Sequence, residues 1–283
     1  MIGVDWGPNL FRAWRIGADG AIRDRRISQR GLLSVPDQRF GDTLREELGR
    51  WIAGGEDRIV TCGPVRAWRP APTISTPCGA AELAAASIAV PFDWAKVRLV
   101  PAIRHDNPTI GPSETPGGEE TYLVGAAAAI GGSGLLCMPG PVSCWARVEG
   151  GRITGLTTHV TGEAFMALRG PVLGRASRET AVDPDGFDRG VALSGMPGGM
   201  LRQLAALRGD SGQQEPAACL LGLLVGCEVR AALTTREEVH LVGPYDHTPL
   251  YGRAIAACAG TALPPVAEAA AAGLALIGAL MDW

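Results

Sequence analysis

The sequence predicts an α/β protein built from two related lobes that face each other across a cleft. Three observations carry the prediction. A strand, a glycine turn, a second strand, a glycine hairpin and a third strand occur twice, over residues 2–27 and again over 135–158. A repeat of this kind marks a duplicated domain, each copy offering a turn to the space between them. After the second copy come helices, a strand, a helix, a strand-like piece and a final helix, the alternation of an α/β sheet. A chain of 283 residues is also long enough to bury a full core and to form two domains.

In the first copy Ile2-Gly3-Val4 is an apolar run ending on Asp5, and Trp6-Gly7-Pro8-Asn9 turns the chain. Residues 10–16 resume as a strand by β-propensity, Ala18-Asp19-Gly20 is a hairpin signal, and 21–27 complete the meander. An acid that closes a strand just before a glycine turn suits nucleotide handling. The turn's N–H groups can face phosphate oxygens, and the carboxylate can hold a hydrated Mg²⁺. Taken alone, the pattern reads more simply as a meander whose aspartate caps a turn. The second copy changes the balance: Leu135-Leu136-Cys137-Met138 is again an apolar strand, Pro139-Gly140-Pro141-Val142-Ser143 a turn, and Cys144-Trp145-Ala146-Arg147-Val148 a returning strand.

Between the copies, residues 42–53 read as an amphipathic helix with Leu44, Leu48, Trp51 and Ile52 on one side, stopped by Gly54-Gly55. A strand follows at 58–62, broken by Gly63-Pro64, and the proline- and threonine-rich stretch 68–79 reads as an exposed loop. A helix at 82–88 and a strand at 97–100 lead to 104–118, an irregular segment with three prolines and three glycines. It is the natural boundary between an N-terminal lobe of residues 1–113 and a C-terminal lobe of 114–283. Gly118-Glu119-Glu120-Thr121 then opens an alanine-rich helix running to about Ile130. Acids in a first turn complement the helix dipole; at a lobe boundary a carboxylate is also placed to face the cleft.

After the second meander, Thr161-Gly162-Glu163 opens a helical stretch over 164–168. Residues 169–188 look like loop, with Gly170-Pro171 and Asp183-Pro184-Asp185-Gly186 as turn signals. A strong helix is expected over 215–233, with Leu220, Leu223, Leu224 and Cys227 on its apolar face, and a strand over 239–242. Gly243-Pro244-Tyr245-Asp246 turns into a helix at 250–259; a turn at a strand's carboxyl end is where open α/β sheets bind ligands. The run 267–281 reads as a packed C-terminal helix, too short to span a bilayer comfortably and able to pack back on the N-terminal lobe.

Composition narrows the function classes. Hydrophobic content of 46%, charged content of 19% and a formal charge of −3 describe an ordinary globular chain without the basic stripe that nucleic acid requires. Lys96 is the only lysine and no GxxxxGK[ST] occurs, which sets aside lysine Schiff bases and P-loops. The seven cysteines are scattered without a CxxC pair, so reduced thiols in a cytoplasmic protein are expected. No signal peptide is indicated and no membrane association is expected; a homodimer is compatible with the sequence.

The motifs read in order carry a resemblance. They are Asp5-Trp6-Gly7 with Arg12-Ala13-Trp14, Gly118-Glu119-Glu120-Thr121 with Leu123-Val124-Gly125-Ala126, and Met138-Pro139-Gly140 with Trp145. Thr161-Gly162-Glu163, Gly222-Leu223-Leu224-Val225-Gly226 with Glu228, and Leu241-Val242-Gly243 with Tyr251 complete the set. Over nearly its whole length the chain resembles the 2-dehydro-3-deoxygalactonokinases, sugar-acid kinases of the actin-like ATPase superfold. The resemblance implies two ribonuclease-H-like lobes and ATP- and Mg²⁺-dependent phosphorylation of a 2-dehydro-3-deoxy sugar acid, 2-dehydro-3-deoxy-D-galactonate at its 6-hydroxyl. It implies that Asp5 holds Mg²⁺ through water, and that the turns at Gly7 and Asn9, with Arg12, and at Pro139 and Gly140 cradle the phosphates. Gly243 is implied on the adenosine side, and Glu119 as the base that takes the acceptor hydroxyl's proton, with Glu120 the reserve.

The departures from the family pattern are equally specific. Pro8 and Asn9 stand where small hydroxyl residues usually follow Asp-Trp-Gly, and Pro141-Val142-Ser143-Cys144 replaces a stretch that carries a threonine and a lysine. Gly63-Pro64-Val65-Arg66-Ala67 replaces a Gly-Met-Val/Ile-Gly-Ser stretch, and Gly117 stands where an arginine is usual. Each lost charge-assisted contact costs roughly 1.5–3 kcal/mol when its partner is buried. Unless Arg66, Arg104 or Arg147 substitutes, phosphoryl transfer is slowed. The alternative is an impaired paralogue that keeps the fold and binds a ligand or partner.

Overall fold

The computed structural model describes residues 1–63, 73–174, 182–209, 215–234, 236–243 and 247–283. The chain divides into two compact units, one formed by Met1–Ser133, Ala146–Leu156 and Val266–Trp283, the other by Gly134–Trp145 and Thr157–Pro265.

Through the first unit run β1 (Ile2–Trp6), β2 (Phe11–Ile16), β3 (Ile22–Ser28), α1 (Phe40–Ala53), β4 (Arg58–Cys62), β5 (Thr73–Ser75) and α2 (Ala80–Ala85). They are followed by β6 (Ile88–Pro91), β7 (Lys96–Leu99), β8 (Ala102–Asn107), β9 (Gly111–Glu114) and α3 (Glu119–Ala129). The main sheet has the order β3-β2-β1-β4-β7-β6. Its β1 pairs antiparallel with β2 and parallel with β4, which sets Asp5 opposite Arg12 on one side and Cys62 on the other. Ile2, Val4, Phe11, Ile59 and Leu99 form its core with Leu44, Leu48 and Trp51 of α1, the helical spacing that the sequence shows.

The remaining elements are β10 (Gly134–Met138), β11 (Ser143–Glu149), β12 (Arg152–His159), α4 (Thr161–Leu173), α5 (Pro184–Ser194), α6 (Gly199–Gly209) and α7 (Pro216–Ala232). The chain ends with β13 (Glu238–Val242), α8 (Thr248–Ala257), β14 (Thr261–Val266) and α9 (Ala269–Ala279). The second sheet has the order β12-β11-β10-β13-β14, with β10 parallel to β13. The two meanders therefore stand in matching positions of two separate sheets. Its core gathers Leu135, Trp145, Phe187, Leu221, Val225 and Tyr251.

Helix α9 belongs to the first unit and crosses α3 closely: a Cβ on Gly125 would lie 2.0 Å from the Ala269 carbonyl oxygen, and one on Gly273 1.8 Å from that of Thr121. The first unit thus continues past residue 113, through α3.

Four local expectations are corrected. The irregular segment 104–118 contains the hairpin β8–β9, which with β5 makes a small sheet of order β5-β8-β9. Asn107 Oδ1 accepts from the amides of Thr109 (2.8 Å) and Ile110 (3.2 Å), closing a turn that the polar, proline-rich composition conceals. For the same reason part of the expected loop 68–79 is β5. The helix expected at 82–88 ends at Ala85, and Ile88 starts β6. Between 169 and 188, α4 runs on through Pro171, which forfeits one helical hydrogen bond near the helix end. Asp183-Pro184-Asp185-Gly186 starts α5: Asp183 caps it by accepting from Gly186 N at 2.6 Å, with Pro184 at the first position.

The seven cysteines form no disulfide. Among the described residues no helix is long and apolar enough to cross a membrane.

Candidate functional site

Three backbone ends meet in the first unit: the end of β1 at Asp5, the end of β4 at Cys62-Gly63, and Gly117-Gly118 at the start of α3. Gly63 (φ 125°) and Gly118 (φ 111°) have left-handed backbones, and a Cβ on Gly63 would lie 2.2 Å from the Trp6 carbonyl oxygen. A Cβ on Gly118 would lie 3.2 Å from Gly63 Cα and 4.0 Å from Asp5 Oδ1. Glycine at both positions lets the start of α3 reach the strand-end acid.

Asp5 is buried, and its Oδ2 accepts from Arg12 (2.6 Å) and from the Tyr122 hydroxyl (2.6 Å). The Cys62 thiol lies 3.9 Å from Oδ1 and 3.2 Å from Thr121 Oγ1. Burial raises the Asp5 carboxyl above its usual range, against the lowering pull of Arg12 and of the Tyr122 hydrogen bond. The same burial, with the Asp5 charge, pushes the Tyr122 and Cys62 groups up, so both stay protonated near neutrality.

The two glutamates that start α3 differ in environment. Glu120 is fully buried and spent: Oε1 accepts from Gly118 N (2.7 Å) and Oε2 from Thr115 Oγ1 (3.2 Å). Burial and the Glu119 charge push it up to about 8. Glu119 is half-buried, and its Oε2 accepts from Gly117 N (2.9 Å). Burial, aided by the Asp5 charge and opposed by backbone hydrogen bonds, pushes Glu119 up to about 7. A partly accessible carboxyl that titrates near neutrality has the protonation range of a general base.

The turn after β1 is held from outside. Gly7 N donates to Leu10 O (2.9 Å), and the carbonyls of Gly7 and Pro8 accept from Leu32 N (2.9 Å) and Leu33 N (3.0 Å). Pro8 has no N–H, so the turn's capacity for an anion rests on exposed Asn9 and the backbone after it.

In the second unit a cavity of about 800 Å³ is lined by Gly140 and Pro141 of the second turn, Thr161 and Phe165 of α4, Leu221 of α7 and Tyr251 of α8, among others. That volume suits a nucleoside-sized ligand. Behind its wall, buried Glu228 of α7 accepts from Trp145 Nε1 (2.8 Å) and from the Tyr251 hydroxyl (2.8 Å), tying β11, α7 and α8 together. Gly243 follows β13 with φ 107° and is not among the described lining residues, whereas His247 is. The turn residues Pro244 to Asp246, and Arg66 with its neighbours 64–67, lie outside the described residues.

Residues 5–277 match the sequence profile of 2-keto-3-deoxy-galactonokinase. The chain belongs to the 2-keto-3-deoxy-galactonokinase family. A probable 2-dehydro-3-deoxygalactonokinase of Rhizobium meliloti (strain 1021) is 32% identical over 274 residues, covering 89% of this chain and 87% of the relative. The crystal structure of a Sinorhizobium meliloti protein assigned the same activity superposes with a TM-score of 0.86 at 31% identity, over 96% of both chains. At the level of fold alone, the activator of 2-hydroxyisocaproyl-CoA dehydratase from Clostridium difficile, solved with bound ADPNP, superposes with a TM-score of 0.54 at 12% identity. That match covers 99% of this chain and 94% of the activator. The two lobes have the actin-like ATPase fold, and the family is one of sugar-acid kinases.

In this member of the 2-keto-3-deoxy-galactonokinase family, Asp5, Arg12, Glu119 and Glu120 come together in the first unit with Gly7 and Asn9, while Pro139, Gly140 and Gly243 belong to the second. Of the arginines considered as substitutes for missing cations, Arg104 is engaged by Asp106 (2.8 Å) on β8, and Arg147 is exposed on β11. Sequence reasoning missed Tyr122 and Thr115 as partners of Asp5 and Glu120. Tyr122 was findable, because it follows Glu119 by three positions on the same helix and shares its side. Thr115 was hidden, since it precedes the helix in a segment read as irregular.

Proposed function

We propose that this family member transfers the γ-phosphoryl group of ATP to a hydroxyl of a 2-dehydro-3-deoxy sugar acid, the 6-hydroxyl of 2-dehydro-3-deoxy-D-galactonate. The observation that carries the proposal is the junction of β1, β4 and α3, which sets a buried aspartate beside a glutamate poised to exchange a proton near neutral pH. The acceptor oxygen attacks the γ-phosphorus, the bond to the ADP oxygen breaks, and the hydroxyl proton passes to Glu119. Glu120 is the weaker candidate, because both its oxygens are already bonded.

Mg²⁺ fits this site in one way. Among the described residues no group of three His, Cys, Asp or Glu side chains could hold a metal, and Arg12 and Tyr122 occupy Oδ2 of Asp5. Oδ1 of Asp5 would hold the ion through water, the rest of its shell coming from phosphates and solvent, as is common for Mg²⁺. When bound it supplies charge neutralisation at the β- and γ-phosphates. The cavity of the second unit takes the nucleoside.

The loss of backbone donors at Pro8 and Pro141 favours a second reading, a paralogue that binds but transfers phosphate slowly. One experiment decides: the purified protein is mixed with ATP, Mg²⁺ and 2-dehydro-3-deoxy-D-galactonate, and the product is followed by phosphorus NMR. Turnover at an ordinary kinase rate of roughly 1–100 s⁻¹ supports the enzyme. Nucleotide binding without a phosphorylated acid supports the paralogue.

A further inference from the structure

The second turn has a single backbone donor between Met138 and Val142, the Gly140 amide, because Pro139 and Pro141 have none. A phosphate bound there needs donors from elsewhere. We propose that the N-terminus of α4, through the hydroxyl of Thr161 and the amides of Thr161 and Gly162, is the phosphoryl-binding element of the second unit. Its ligand is the terminal phosphates of a nucleoside di- or triphosphate. The proposal rests on the kinase reading above and deepens it.

Helix α4 is 13 residues long and has no side-chain cap. Glu163 N donates to Pro141 O (3.0 Å) and Ala164 N to Val160 O (2.7 Å), whereas the amides of Thr161 and Gly162 have no backbone partner among the described residues. Such amides at a helix start, reinforced by the dipole, form an anion site. Gly162 is seated directly on the turn: a Cβ there would lie 2.8 Å from both Gly140 O and Pro141 Cα.

The independent observation is Thr161 itself. The residue is 8% exposed and lines the cavity, and its hydroxyl has no hydrogen-bond partner among the described residues. A hydroxyl on the cavity wall with no protein partner is a donor left for a ligand, and a phosphate oxygen in the cavity would accept from it. Two residues earlier, His159 Nε2 is buried without a partner among the described residues. The charged groups among the described lining residues are Glu163 and Arg169, with the imidazole of His247 and the phenol of Tyr251 beside them, so a guanidinium stands on the same wall as the one acid.

The test is titration calorimetry of the wild type, Thr161→Val and Thr161→Ser with adenosine, ADP and ATP·Mg²⁺, with pyrophosphate as competitor. The valine variant should bind ADP and ATP about tenfold more weakly or worse, bind adenosine within about twofold of the wild type, and lose competition by pyrophosphate. Serine, which keeps the hydroxyl, should restore the wild-type values. Equal weakening of adenosine and ADP, or an unchanged ADP affinity in a variant with the wild-type melting temperature, overturns the inference while leaving the kinase reading in place. A wild type that binds neither adenosine nor ADP overturns both.

Discussion

Replacing Glu119 with glutamine removes the proposed base while keeping its size and its hydrogen bond from Gly117 N (2.9 Å). Burial holds this carboxyl at about 7 rather than its ordinary 4.5, and Asp5 adds to the rise. The base must be ionised to accept a proton, so activity should be low in acid, rise through pH 7 and level off above it. At pH 6 only about a tenth of such a group is ionised, so kcat/KM there should be about a tenth of its plateau. Glu120, pushed up to about 8, stays mostly protonated through the rise near pH 7. The glutamine variant should lose about 10²–10⁴-fold in kcat, show no rise near pH 7, and keep its nucleotide affinity. The assay is a coupled ADP-release measurement from pH 5.5 to 8.5, with calorimetry for the nucleotide. A variant within threefold of the wild type, or a wild-type profile that is flat across this range, refutes the role of Glu119.

Three further outcomes follow from packing and burial. Glu228→Leu strands the Trp145 indole N–H and the Tyr251 hydroxyl, both donors to the lost carboxylate; urea unfolding should show a loss of about 2–5 kcal/mol, and a loss below 1 would mean that the network is dispensable. The folded-state value of about 8 for Glu120, raised from 4.5, means its contribution to stability is complete below 4.5 and is lost as pH rises through 8. Wild-type stability should therefore fall with pH in that window by up to about 1.4 kcal/mol per unit from this group, and Glu120→Gln should abolish that share of the slope. Gly273→Ala would force a Cβ to within 1.8 Å of the Thr121 carbonyl oxygen, where backbone must move; a loss of about 1–3 kcal/mol is expected, and an unchanged melting temperature would show that α3 and α9 separate without cost.

Much of the fold was legible because its strongest elements repeat one local pattern. The meanders, α1 and α7 announce themselves through apolar patterning and glycine punctuation, and α3 and α9 through alanine-rich apolar runs, signals that do not depend on tertiary context. The small sheet β5-β8-β9 was not legible. Its strands are short, polar and interrupted by Pro112, and what makes them strands is mutual pairing and the Asn107 turn, neither visible as periodicity. The start of α5 was misread for a different reason: Asp-Pro-x-Gly serves equally as a turn and as a capped helix start. Only the apolar residues after it, Phe187 and Val191, separate the two.

The site was legible to the extent that register is set by turns. A hairpin that pairs Trp6 with Phe11 must pair Asp5 with Arg12, so the ion pair was implicit in the first fifteen residues. The approach of β4 and α3 was not, because it depends on two glycines far apart in the chain, Gly63 and Gly118, packing so closely that a Cβ on Gly118 would lie 3.2 Å from Gly63 Cα. Neither glycine carries any chemistry of its own. Together they decide that the carboxylates of β1 and α3 share one buried environment, and the elevation of Glu119 and Glu120 comes first from that burial. A side chain at either position would separate them. The acid–base character of the site is therefore a property of close backbone packing, and the residues that create it are the ones a search for catalytic side chains passes over.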